Sequence, residues 1–506
     1  MGMQKKKNRT KQVFSLAALL LMLITVFSCF SAAAASENEE QSNGTGKKYI
    51  IAMDTTFAPF EFEDSQGNRV GIDVELLEAI AKDQGFEYEA RAIGFDAALQ
   101  AVESGQADGI LAGCSITEER QKKMDFSTPY FDSGISMAVS KDNDSIQSYE
   151  DLRGKKVAVK VGTEGSTLAN KLSEQYGFSV VTFDDSANMY EDVKLGNTAA
   201  CFEDYPVLGY AISQDIGLKL VGEKEAGSSY GLGVKKGQNA ELLQMFNDGL
   251  ENVKASGEYQ RILDSYISSG DGTAANVESN EGVNFFTLLG TTFPRFVQAA
   301  GVTLWITAVS LVFAVVLGLL FCALRLSKYK VLHAITRVYL WVIRGTPVIV
   351  QAFMIYFGIP KLLGFTMPVE VASIITLTLN AGAYLSEIFR SGIEAVDVGQ
   401  MEAARSLGLP YMKTMQKVIL PQAARIVIPS VINQFIITLK DSSILSVIGL
   451  AELTKVGKAI VAQNLESFNT YLILAIYYLI LVSLLTALSA VVERRLRRGK
   501  LKGKGN

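Results

Sequence analysis

Chemistry can first be read in a charged stretch stranded between two long apolar runs, residues 399–421, GQMEAARSLGLPYMKTMQKVILP. Residues 402–407 are good helix formers, Gly408 stands where a left-handed residue closes a helix, and Pro410 forbids continuation. A short helix with a hard stop is therefore expected, with a second helix from Tyr411. Ala403 and Ala404 leave one face of the first helix without bulk, so its backbone can settle into a groove on another protein, while Glu402 and Arg405 offer charged contacts. This is docking chemistry rather than bond-making. His333 is the only histidine, which excludes histidine-based metal sites and any Ser-His-Asp or Cys-His catalysis. No G-x-x-x-x-G-K-[ST] loop occurs either, because Gly457-Lys458 is followed by Ala459 and lacks the preceding glycine. No catalytic residue, metal or cofactor is expected, and any ATP hydrolysis must come from a separate subunit.

The segments that must position this stretch are of two kinds. With 506 residues, 49% hydrophobic and 20% charged, the chain is too long for one domain and too apolar for a wholly soluble one. Up to about residue 281 it is mixed and acidic, whereas residues 285–492 are dominated by apolar runs. Lys5, Lys6, Lys7, Arg9 and Lys11, an apolar core over 13–30 and Ala33-Ala34-Ala35 read as an export signal over 1–35, followed by a linker over 36–47. Cys29 is a poor lipid attachment site because Phe27 precedes it by two. Cys114, Cys201 and Cys322 lack paired spacing and read as buried free thiols. Residues 48–267 alternate short apolar strands with helical patterns, as an α/β domain does. Residues 268–284 are small, polar and glycine-rich; a coil of about 15 residues spans roughly 20 Å and holds its cargo near millimolar effective concentration.

Beyond that linker, residues 302–324, 346–363, 369–389, 423–441 and 470–492 are each about long enough to cross a bilayer. Five crossings from an exported domain put the tail in the cytoplasm. Arg325, Lys328, Lys330, Arg337, the loop after Arg390 and the basic tail 493–506 then all fall on the cytoplasmic side, in accord with the positive-inside rule. That topology also places residues 399–421 on the cytoplasmic side, open to a partner there. No aromatic residues interleave the basic clusters, so no nucleic-acid partner is expected. Glu387, Arg390, Asn433, Lys440 and Asp441 are polar groups near spans and hence pathway candidates, with span-end anchoring or packing against a second copy equally open.

The spacing Glu402-Ala403-Ala404, Gly408, Val418, Leu420-Pro421 resembles the EAA loop of ABC importer permeases, with valine where that family usually has isoleucine. YLWVIRGTPVIVQAFMIYFG, NAGAYLSEIFRSGIEAV and PQAARIVIPSVINQFIITLKDSSILSVIGLAEL resemble permeases of polar amino acids. In the first half, DTTFAPFEFED, VGIDVELLEAIAKD, DGILAGCSITEERQKKMDFSTPYFDSGI and LRGKKVAVKVGTEGS together resemble the amino-acid-binding receptors of the same transporters. The resemblance implies a two-lobed, type II periplasmic-binding-protein-like α/β domain followed by an all-α, type I importer permease of five transmembrane helices. Lobe 1 would comprise 48–134 and 231–267 and lobe 2 135–230, with crossing segments near 132–139 and 230–234. It also implies an ABC ATPase in trans docked at Glu402, Ala403, Ala404 and Gly408, and a homodimeric membrane core.

An α-carboxylate asks for a fixed, permanently charged fork, which Arg120 can supply just after Gly113-Cys114-Ser115-Ile116-Thr117, with backbone amides of that segment assisting. By resemblance Asp204, from the other lobe, takes the α-ammonium, so that a free L-amino acid ties the lobes together. Phe57 and Phe95 match the aromatic walls of the side-chain pocket, Asp54, Lys160 and Glu203 match positions at its far end, and Thr163 would help hold the carboxylate. An acid and a base at one terminus suit an amide, so glutamine is expected first. Glu203 stands where glutamine receptors have histidine, and Glu164 replaces a small residue, which admits arginine or lysine. Two other classes compete: a ligand-gated channel, whose pore interrupts this type of binding domain whereas here the domain is complete before the first span, and a carboxylate-using dehydratase. No filter sequence resembling TVGYG is present.

Overall fold

The computed structural model describes residues 47–502 except 55, 65–66, 268–283, 328 and 465–466. The export signal, Cys29 and all but one residue of the linker over 268–284 lie outside the described residues.

Two five-stranded sheets form the first half. One contains β1 (Lys48–Met53), β4 (Glu87–Ala92), β5 (Gly109–Ile110), β6 (Met124–Phe126) and β12 (Gly233–Lys235), in the order β4-β1-β5-β12-β6. The other contains β7 (Phe131–Ser140), β8 (Lys156–Lys160), β9 (Ser179–Phe183), β10 (Ala200–Asp204) and β11 (Leu218–Tyr230), in the order β11-β7-β10-β8-β9. A small hairpin of β2 (Phe62–Glu63) and β3 (Arg69–Val70) completes the strands among the described residues. The chain passes between the sheets twice, just before β7 and between β11 and β12, and β7 and β11 pair antiparallel from Phe131–Tyr230 onward. Each sheet is thus the core of one lobe, hinged on that pair.

Local sequence explains the packing. β8, KVAVK, is buried from Val157 to Lys160 because helices cover both faces, as central parallel strands require. The helix Ile72–Gln84 opens with Asp73 and Glu75 in its first turn, closes on left-handed Gly85, and buries Leu76, Leu77, Ile80 and Ala81 on one stripe.

Among the described residues of the second half, four helices are long and apolar enough to cross a membrane, Phe285–Arg325, Val369–Glu394, Tyr411–Ile448 and Ser467–Val491. The expected span at 346–363 requires correction. It is one arm of a pair, Lys330–Gly345 and Val348–Leu363, bent by 109° at Thr346-Pro347, and it carries a π-helical stretch at Met354–Gly358. Proline breaks the ladder, and Gln351 Nε2 repairs it by donating to the carbonyls of Ile343 (2.7 Å) and Thr346 (3.0 Å). The span expected from residue 302 also starts earlier. Asn284 caps the helix at Phe286 N, and Leu288 and Phe296 pack against Leu453, Ile460 and Ile473. At 1.5 Å per residue this 41-residue helix is about 60 Å long, twice the hydrocarbon thickness, so one end projects.

That projecting end meets the first half, where Arg295 pairs with Glu63. Gln106 clasps the turn before Val369–Glu394, accepting from Met367 N at 2.8 Å and donating to Phe365 O at 3.4 Å. A shared apolar core joins Phe95, Ala98 and Val102 of lobe 1 to Tyr356, Leu445 and Ile448. The opposite end, 30 residues or about 45 Å along the same helix, carries an ion network in which Glu387 receives Arg325 and Arg390, and Arg390 also reaches Glu394. Glu387 and Arg390 therefore tie two helices together beside the helix Val398–Ser406. Asn433 and Lys440 lie exposed on the bundle surface, and Asp441 is half-buried.

Candidate functional site

The site lies where β1, the turn after β5, β8 and β10 converge between the lobes. Arg120 sits in the short helix Glu118–Gln121, capped by Thr117. Its guanidinium donates to Ser115 O at 2.8 Å and, across the cleft, to Gly162 O at 2.9 Å, and lies 5.1 Å from the centre of the Phe95 ring. Three contacts on one side chain hold the fork in place, with Phe95 supplying a face that attracts cations.

The second link between lobes is the ion pair of Asp54 and Lys160, both almost wholly buried, with the ammonium 5.2 Å from the Phe57 ring centre. The described conformation is therefore closed. Gly113 lets Phe57 approach. Its φ is +51°, and a Cβ there would lie 2.2 Å from Phe57 Cε1, so both backbone and space require glycine. Ser115 is buried and bridges to Tyr230 of the hinge.

Two acids end β10. Glu203 accepts from Ser186 Oγ at 2.7 Å and from Asp204 N at 3.2 Å, while Ser133 Oγ lies 3.4 Å from Asp204 Oδ1 and 2.9 Å from Tyr230 Oη. Burial, then the charges of Glu203 and Glu164, pushes Asp204 well above the usual carboxylate range, with Arg120 opposing. Burial also raises Glu203, opposed first by Lys160. A buried carboxylate held at such a cost suits a site that receives a cationic group.

Two expectations change in detail. The Thr163 hydroxyl is committed, donating to Lys160 O at 2.8 Å and accepting from Ser166 N at 3.2 Å as the cap of the helix Glu164–Tyr176, so the side chain is not free to hold a carboxylate. Glu164 turns to the hinge strand, accepting from Ser228 Oγ at 2.9 Å.

Sequence reasoning missed Glu61 and Asp73. Asp73 Oδ2 accepts from Gly113 N and Tyr130 Oη, both at 2.8 Å, so it supports the loop that carries the site. Among the described residues its other oxygen and both oxygens of fully buried Glu61 meet no donor; a proton on one Glu61 oxygen, donated to Asp73 Oδ1, would pair two of the three. Burial, then the charges of Asp73 and Asp54, raises Glu61 well above 4.5, and burial raises Asp73 to about 6. The only signal was an acid set between Phe60 and Phe62. A carboxyl that binds its proton more tightly when folded stabilises fully below its unfolded value, and that contribution is lost as pH rises through the folded one. Glu61→Gln should therefore raise the melting temperature of the receptor transition at pH 7 and leave it unchanged at pH 4, as scanning calorimetry would report.

At the far end of the membrane half, Val398–Ser406 ends with Gly408 at φ +83°, and Leu409 N returns to Ala404 O at 3.2 Å. Glu402 and Ala403 are exposed, but Ala404 is buried against its own bundle. The bulk-free face expected of both alanines is thus presented by Ala403 alone.

A closed two-lobed receptor seated on a helical bundle defines a binding-protein-dependent transporter. The family model described as bacterial extracellular solute-binding proteins, family 3, matches residues 49–269, and that described as the binding-protein-dependent transport system inner membrane component matches residues 310–498. The arginine transport system permease protein ArtQ of Bacillus subtilis (strain 168) is 37% identical over 204 residues, 40% of this chain and 93% of the relative. The glutamine transport system permease protein GlnP of Escherichia coli (strain K12) is 36% identical over 205 residues, 40% of this chain and 94% of the relative. Among solved structures, substrate binding domain 2 of Lactococcus lactis GlnP in open conformation is 42% identical, with 45% of this chain and 98% of that chain covered and a TM-score of 0.36. The chain belongs to the binding-protein-dependent amino-acid permeases, with a family 3 solute-binding domain fused ahead of the membrane component. It is the combined binding and permease chain of an amino-acid ABC importer.

Proposed function

We propose that this chain captures extracellular glutamine between its lobes and passes it through its own membrane half, driven by an ATPase bound in trans at Glu402, Ala403 and Gly408. The observation that carries the choice of substrate is the buried Asp54–Lys160 pair beside Phe57. A fixed ammonium at the far end of the pocket repels a guanidinium or a second ammonium, whereas a side-chain amide can accept from Lys160 and donate to Glu203 or Asp54. Arg120 then clamps the α-carboxylate and Asp204 the α-ammonium.

The second reading, a basic amino acid, is favoured by Glu203, which leaves the far end one negative charge in excess of Lys160. Titrating the full chain in lipid nanodiscs with each amino acid decides between them. Glutamine should bind at micromolar concentration or tighter, and preference for arginine would transfer specificity to Glu203.

The Glu402 helix and the receptor contacts lie at opposite ends of the bundle, which supports an external receptor and a cytoplasmic ATPase site. Exposed Trp305, Val312, Leu479 and Leu484 offer apolar faces for lipid and for the second copy of the chain that completes the pathway.

A further inference from the structure

Three strand ends meet at the far end of the ligand pocket. β10, β8 and β9 lie side by side in lobe 2, parallel and in that order. Glu203 near the carboxyl end of β10, Lys160 at that of β8 and the turn after β9 therefore share one edge of the sheet, the edge at which open α/β sheets take their ligands. The helix that leaves β9, Ser186–Lys194, is capped by Asp185, which accepts from Asn188 N at 2.9 Å and from Asn188 Nδ2 at 2.8 Å. Met189, Tyr190 and Val193 bury one stripe of this helix in a core shared with Ala158 of β8 and Cys201 of β10. Ser186 begins the same stripe and is only 2% exposed, so its hydroxyl is turned from solvent and donates to Glu203 Oε2 at 2.7 Å.

The hydroxyl changes what Glu203 can bind. An ionised carboxylate only accepts, on two oxygens with about four lone-pair positions between them. Here Oε2 takes Ser186 Oγ and Oε1 takes Asp204 N at 3.2 Å, so both oxygens are already engaged from within lobe 2. A guanidinium makes its strong pairing through two parallel bonds, one to each oxygen, and it meets a carboxylate already in use on both. A side-chain amide asks less: one acceptor position for its N–H, and for its oxygen a donor, which Lys160 provides. Without the Ser186 hydroxyl, Oε2 would be free and the buried charge short of a donor, a deficit that a cationic fork fills better than an amide does.

We propose that Ser186 is a positioning residue that sets the specificity of the receptor, holding Glu203 with both oxygens engaged so that the pocket prefers an amide to a guanidinium. This rests on the glutamine reading of the site and gives the reason why the excess negative charge of Glu203 does not by itself make the pocket select a basic amino acid.

The test is calorimetric titration of the full chain in nanodiscs with L-glutamine and with L-arginine, for the wild type, Ser186→Ala and Ser186→Thr. The quantity read is the ratio of the two dissociation constants, which a general loosening of lobe 2 leaves unchanged. Ser186→Ala should shift that ratio toward arginine by about tenfold or more, the value of one hydrogen bond to a charged group. Ser186→Thr keeps the hydroxyl and should keep the wild-type ratio. An unchanged ratio in Ser186→Ala, an equal loss of both ligands to the point of no binding, or the same shift in Ser186→Thr overturns the role of Ser186 and leaves the glutamine reading standing. A wild type that prefers arginine overturns the glutamine reading and this inference with it.

Discussion

Replacing Arg120 with alanine should weaken amino-acid binding by at least about a hundredfold while the chain still folds. Removing one partner of a desolvated charge pair costs about 2–5 kcal/mol, because the other charge is left buried without compensation. Here the loss is compounded, since the same guanidinium joins the lobes through Gly162 O and rests on Phe95. Arg120→Lys keeps the charge but not the fork, so it should recover only part of the affinity. Calorimetric titration gives both values, and wild-type affinity in Arg120→Ala would remove the carboxylate clamp from the account.

The second large effect is expected at the opposite end of the chain. Glu402→Arg reverses an exposed charge, and Gly408→Val forces a β-branched residue into φ +83° where the chain turns between two helices. Each should abolish amino-acid-stimulated ATP hydrolysis and transport by the reconstituted complex, with binding unchanged, because the substitution lies more than 40 Å from the receptor by helix length. A variant that instead lost binding would mean that residues 399–421 support the fold of the receptor rather than a partner.

The sequence carried some of this and concealed the rest for physical reasons. Gly408 and Pro410 are punctuation, and the helix stop they dictate is local, so it could be read without tertiary information. Thr346-Pro347 is equally local, yet the 109° bend it produces was hidden because an apolar run reads as a span whether straight or broken. The early start at Phe285 was hidden because a helix held by Leu453 and Ile473 needs no continuous apolar run of its own. The helix Phe95–Ser104 shows the same ambiguity from the other side: Ala97, Ala98, Ala101 and Val102 are a stripe that any core helix has, and only the fold reveals that it also meets Tyr356 of the membrane half. In the candidate site, types and strings singled out Asp54, Lys160, Arg120 and Asp204, which the fold gathers between the lobes. Ser186 and Asp73 escaped because each acts through a neighbour, Glu203 or the Gly113 loop, and such support has no spacing in sequence.

The central claim is that one chain both captures an amino acid and conducts it under the control of ATP. Its most direct test is uptake of radiolabelled glutamine into proteoliposomes containing this chain and its ATPase subunit. Accumulation against a gradient that requires ATP and disappears in Arg120→Ala is the predicted result. Glutamine-triggered passage of ions down their gradient without ATP would contradict it and return the chain to the ligand-gated channels.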